Sequence, residues 1–154
     1  MTPRDRKMKP ILILMADDDE DDRMMTEQAM KKNRLANVIK FVVDGEELLD
    51  YLSHKGEYNP DNAPSPDLIL LDLNMPRKDG KEALKEIKSS KRLKHIPVIV
   101  LTTSSAEEDI VKTYDLGVNS FITKPVTFDE LVKVVKQIDN YWFELVKLPA
   151  LNNE

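Results

Sequence analysis

The sequence predicts an α/β protein built on a parallel sheet, with helices laid over both faces. Two observations lead there. Three short apolar runs, Ile11–Ala16, Leu68–Leu71 and Val98–Leu101, are rich in Ile, Leu or Val and are bounded by acidic or turn-forming residues. Strands covered on both faces read as unbroken apolar runs rather than as alternation. Between the runs lie helical periodicities, so that strand and helix alternate five times, the pattern of right-handed crossovers on a parallel sheet.

Taken in order, the first strand is Ile11–Ala16. A helix follows from near Glu20 to about Asn33, with acids in its first turn, where the helix dipole favours them. Val38–Val43, interrupted by Lys40, and Ser120–Thr123 are less apolar and suit edge strands. "DGEELLDYL" opens a helix at Gly45 with Leu48, Leu49 and Leu52 on one side, and "DGKEALKEIK" opens another at Gly80 that buries Ala83, Leu84 and Ile87. In "SAEEDIVKTYDLG", Ser105 and Glu108 have capping-box spacing and Gly117 is a stop. The last helix carries Phe128, Leu131, Val135, Ile138, Trp142 and Leu145 at steps of three and four, until Pro149 forbids continuation. Val132, Val134 and Tyr141 lie off that stripe and form surplus apolar surface suited to a partner or a second copy. The polar stretch 53–66, with three prolines, is a long loop before the third strand. His54 and His95 read as surface loop residues, and Met24 and Met25 as helix packing.

At 154 residues the chain is expected to be one domain over 1–154, with a core of about 9–146 and a short extension over 147–154. A net charge of −5 argues against nonspecific binding to nucleic acid or to an anionic membrane. With no Cys, thiol catalysis and thiolate zinc sites are excluded. The basic start and the apolar run after it are too short for a signal peptide and end in acids, so a cytoplasmic location is expected.

The chemistry lies at the strand ends. In an open parallel sheet the functional crevice sits beyond the carboxyl ends of the strands. Asp17 and Asp18 follow the first strand, Asp72 the third, Thr102 and Thr103 the fourth, and Lys124 the fifth. Clustered carboxylates form a site for a hard cation, best a Mg²⁺ that keeps several waters. Such an ion offsets charge on a transferring phosphoryl group, so that one ionised Asp acts as nucleophile. Lys124 offers an ion pair and a Thr hydroxyl a hydrogen bond to the phosphoryl oxygens. The remaining acids, Asp19 to Asp22, suit a solvated helix start. An EF-hand is rejected because the loop's sixth position is Asp22 rather than Gly and its twelfth is Gln28 rather than Glu.

These features resemble the receiver domains of two-component response regulators over nearly the whole chain. The matching motifs are Asp17–Asp18, "LLDLNMPRKDG" around Asp72, "VLTTS" at Thr102 and "KP" at Lys124–Pro125, with spacings of 30 residues from Asp72 to Thr102 and 22 from Thr102 to Lys124. The resemblance implies a flavodoxin-like (βα)5 fold, doubly wound, with five parallel strands in the order 2-1-3-4-5. It implies Mg²⁺-dependent phosphorylation of Asp72 by a sensor histidine kinase. Asp18 would then ligate the metal directly, Asp17 through water, Asp72 through a further oxygen and Asn74 through its backbone carbonyl. Thr102 and Lys124 would contact the phosphoryl group, Lys124–Pro125 would be a cis peptide, and Thr102 and Phe121 would form the conformational switch. The long loop before "PDLILLDLNMP" and the ending "YWFELVKLP" resemble single-domain regulators that partner phytochrome-type kinases, in which the terminal extension helps pair two chains.

The expected role is therefore a phosphoacceptor signalling protein rather than an enzyme. Few residues remain beyond the last helix, so the expected output is a downstream protein or a His phosphotransfer protein in a phosphorelay. Two rivals stand beside it. A phosphatase or phosphotransferase with an aspartyl-phosphate intermediate would use a D-x-D pair such as Asp17-x-Asp19, but Asp72 is then unexplained and the chain lacks room for a cap. A degenerate receiver would be a constitutive binding module.

Overall fold

The apolar runs form strands, and the polar residues that end two of them are held in the same ladders. In the computed structural model, which describes residues 11–32, 38–73, 75, 80–102, 120–123 and 127–138 (backbone alone at 102, 120, 121 and 123), the strands are β1 (Leu12–Ala16), β2 (Val38–Val42), β3 (Leu68–Asp72), β4 (Val98–Thr102) and β5 (Ser120–Thr123). All pair in parallel in one sheet of order β2-β1-β3-β4-β5. The helices are α1 (Glu20–Lys32), α2 (Gly45–Ser53), α3 (Gly80–Ser89) and α4 over 128–138. The helix expected over 105–117 and the cis peptide expected at Lys124–Pro125 lie outside the described residues.

β3 and β4 run one residue past their apolar runs. Asp72 pairs with Leu101 and Thr102 with Thr123, because ladder hydrogen bonds come from the backbone whatever the side chain. β1 starts one residue late, at Leu12, whose N–H donates to Asp67 Oδ2 at 2.8 Å.

The three central strands feed two cores by simple alternation. Leu14, Ala16, Ile69, Leu71, Val98 and Val100 face one way and pack with Leu48 and Leu52 of α2 and Leu84 and Ile87 of α3. Ile13, Met15, Leu68, Leu70, Ile99 and Leu101 face the other way and meet Ala29 and Met30 of α1 and Leu131, Val135 and Ile138 of α4. Each such large side chain, fully buried, contributes about 1.5–3 kcal/mol. The two-sided burial is the physical reason these runs lack alternation in the sequence. β2 is an edge, as its weaker hydrophobicity predicts, with Val38 exposed and Lys40 half-buried.

Two expectations are corrected. Val132 and Val134 do not stand free as surplus surface: both are half-buried and pack against the α1–α4 core, because that core is wider than the strict stripe. Met24 is exposed, and only Met25 turns toward the core. His54 is an exposed turn residue, as expected; it also ends α2 in the left-handed conformation, with φ of 56°, and its Nε2 lies 2.8 Å from Ala63 O. Trp142, Leu145 and Tyr141 lie outside the described residues.

The loop 53–66 is tied down at both ends. Tyr51 Oη donates to Pro64 O, Tyr58 Oη donates to Glu47 Oε2 at 2.7 Å, and Asn59 Oδ1 accepts from the N–H groups of Asp61 and Asn62. Glu47 also accepts from Val43 N–H, while Asp44, the N-cap of α2, accepts from Glu47 N–H. Burial, and then the Glu47 carboxylate beside it, hold the Tyr58 hydroxyl above the ordinary phenol value. The folded state thus favours neutral Tyr58. Its contribution is complete below the unfolded value near pH 10 and is lost as pH climbs toward the folded one. Tyr58→Phe is expected to cost roughly 1 kcal/mol at neutral pH. In urea titrations the gap from wild type should narrow above about pH 10; a gap that stays constant to pH 11 would refute the coupling.

Candidate functional site

The order of the sheet makes its switch point at β1 and β3. The chain leaves β1 toward β2 on one side and leaves β3 toward β4 on the other, which opens a crevice at their carboxyl ends. Ala16 pairs with Leu71, so one more step along that register sets Asp17 beside Asp72. One carboxylate oxygen from each of Asp17, Asp18 and Asp72 lies within 4.8 Å of the others. Asp17 is 0% and Asp72 4% exposed, whereas Asp18 is open to solvent.

Two unit charges at that separation repel by roughly 3 kcal/mol at an effective dielectric constant of about 20. A fold that gathers three carboxylates, two of them buried, supplies an all-oxygen, strongly anionic donor set. That set fits a hard divalent cation, and it leaves one face, at Asp18, in contact with water.

The acid turn is braced from several directions. Asp17 N–H donates to Val42 O at 3.0 Å, which ties it to β2. Arg23 Nη1 donates to Asp17 O at 2.8 Å from the first turn of α1. Asp17 Oδ1 accepts from Asp19 N–H at 2.9 Å. Asp19 is the N-cap of α1, its Oδ1 accepting from the N–H groups of Asp21 and Asp22 at 2.8 and 3.2 Å. Glu20, Asp21 and Asp22 occupy the first helical turn and Lys31 and Lys32 the last, each matching the helix dipole. The run of six acids therefore divides into two metal-suited carboxylates, one cap and three first-turn charges.

Of the other expected site residues, Thr102 closes β4, one step beyond the Leu101 that pairs with Asp72. Thr102 also pairs with Thr123, the last residue of β5 and the neighbour of Lys124 in the chain. Phe121 lies in β5, paired with Val100. Asn74 and Lys124 lie outside the described residues. Two contributors were missed. Arg23 had no signal beyond its place one turn into a helix. Gly80 is expected only as a helix start, yet its N–H donates to Leu73 O at 3.0 Å, just beyond the end of β3.

A family model described as the response regulator receiver domain matches residues 13–136. The chain belongs to that family. It is 41% identical over 146 residues to response regulator Rcp1 of Synechocystis sp. (strain ATCC 27184 / PCC 6803 / Kazusa), covering 95% of this chain and 98% of that one. Among solved structures it is similar to the phosphorylated cyanobacterial phytochrome response regulator RcpA, with a TM-score of 0.79, 45% identity, and 86% and 93% of the two chains covered. The Mn(2+)-bound form of Rcp1 gives a TM-score of 0.79 at 41% identity, covering 88% of this chain and 96% of the other.

In this receiver the D-x-D arrangement of a phosphatase meets a physical obstacle. Asp19 Oδ1 is engaged by two backbone N–H groups as a helix cap. Among the described residues no helix is long and apolar enough to cross a membrane.

Proposed function

We propose that this receiver, a single domain over 1–154, takes a phosphoryl group onto Asp72 from a sensor histidine kinase of the phytochrome type. The observation that carries the reading is the meeting of Asp17, Asp18 and Asp72 within 4.8 Å at the switch point of the sheet. An oxygen of the Asp72 carboxylate attacks the phosphorus of a phosphohistidine. The new O–P bond makes an acyl phosphate as the N–P bond breaks, and the imidazole leaves with the electron pair. Asp17, Asp18 and Asp72, with the backbone carbonyl of Asn74, hold Mg²⁺. When bound, the ion offsets the charge of the carboxylates and of the phosphoryl oxygens. The hydroxyl of Thr102 donates to a phosphoryl oxygen, and the Lys124 ammonium pairs with the group.

Thr102 and Phe121, on adjacent strands, are the switch, shifting a two-state equilibrium when Asp72 is charged. The output is a downstream protein or a His phosphotransfer protein in the cytoplasm, met by a receiver that pairs with a second copy. Similarity to Rcp1 and RcpA supports the kinase class and the divalent cation.

The test is labelling with radioactive acetyl phosphate with and without EDTA. One base-labile phosphoryl group per chain, formed only when Mg²⁺ is present, is the expected result. Label that forms equally well in EDTA, or steady turnover of a small phosphomonoester, overturns the reading.

A further inference from the structure

Gly80 opens α3 directly against the backbone of the acceptor residue. Its N–H donates to Leu73 O at 3.0 Å. A Cβ placed on Gly80 would press on Asp72 O and stand 2.7 Å from Leu73 Cα and 3.1 Å from the Asp72 carbonyl carbon. All three are main-chain atoms, so no change of rotamer relieves the overlap. Asp72 ends a central strand paired on both sides, and the N–H of Leu73, the next residue, reaches Leu101 O. α3 is held in turn by Ala83, Leu84 and Ile87, all fully buried.

We propose that Gly80 is a positioning residue for the acidic site: the missing Cβ lets the first turn of α3 lie on the Asp72 carbonyl and so sets where the Asp72 carboxylate stands relative to Asp17 and Asp18. Gly80 touches neither metal nor phosphoryl group. A side chain at position 80 pushes either Asp72 out of register with Asp17 or α3 off the sheet. Asp72 is the last residue of β3, and α3 is anchored by three fully buried side chains, so part of the displacement falls on Asp72. The inference rests on the metal-site reading above.

The test compares Mn²⁺ binding to Gly80→Ala, Leu84→Ala and Asp17→Asn, followed by the electron paramagnetic resonance of free Mn²⁺ at a temperature where each protein is folded. Gly80→Ala is expected to weaken binding by roughly tenfold, in the range seen when groups behind metal ligands are altered. Leu84→Ala, in the same helix but facing the core, should lose stability and keep wild-type affinity. Wild-type affinity in Gly80→Ala, or equal weakening in Leu84→Ala, overturns the positioning role. If Asp17→Asn binds Mn²⁺ as wild type does, the metal-site reading fails instead. Should Gly80→Ala not fold, the wild-type protein still decides: saturating Mg²⁺ is expected to slow hydrogen exchange at the Gly80 amide, and an unchanged rate overturns the proposal.

Discussion

Asp72→Asn is expected to bring acetyl-phosphate labelling down to background while the fold is kept. The amide has the shape of the carboxylate but lacks its nucleophilic anionic oxygen, so no acyl phosphate can form. Asp72 is 4% exposed at the end of a central strand, and a near-isosteric replacement leaves the core packing intact. Removing one of three clustered charges also relieves repulsion, so the metal-free variant should be as stable as wild type or more so in urea. The measurement is labelling stoichiometry beside a denaturation curve. Label retained at wild-type stoichiometry in a folded Asp72→Asn protein would assign the acceptor elsewhere, to Asp17 or Asp18.

Asp17→Asn should separate stability from metal binding. Asn keeps an Oδ1 able to accept from Asp19 N–H, so the turn into α1 survives. The buried negative charge disappears, and with it repulsion of up to roughly 3 kcal/mol per pair at an effective dielectric constant of about 20. Without metal, the variant is therefore expected to melt above wild type. With Mg²⁺ the gap should narrow, because the metal stabilises only the protein that binds it, by about 2.7 kcal/mol at a hundred times its dissociation constant. Melting curves at zero and saturating Mg²⁺ check both halves. If Mg²⁺ raises the melting temperature of both proteins equally, Asp17 takes no part in holding the ion.

Much of this arrangement was legible in residue order. β5 and the starts of α2 and α3 fall where predicted, because strand and helix periods and the residues that open helices act over a few neighbours. The polar strand ends Asp72 and Thr102 were read as following their strands, whereas both still pair in the sheet. The loop 53–66 is expected as a long polar insertion before the third strand. Its ties from Tyr51, Tyr58 and His54 to partners 9 to 13 residues away depend on how the loop folds back on α2, which no local pattern encodes. Gly80 is the sharpest case. Nothing in "DGKEALKEIK" says which backbone lies against it, and the answer, the carbonyl of Asp72, matters to the site itself.

Residue order alone therefore set the parallel α/β class and the chemical inventory at the strand ends, since hydrophobic period and residue type are local properties. The meeting of Asp17, Asp18 and Asp72 within 4.8 Å, the division of the acid run between ligands and helix cap, and the seat of Gly80 on the acceptor's backbone were decided only by the folded chain. Each depends on distances between residues remote in sequence, and those are fixed by the order and register of the strands rather than by the character of any one segment.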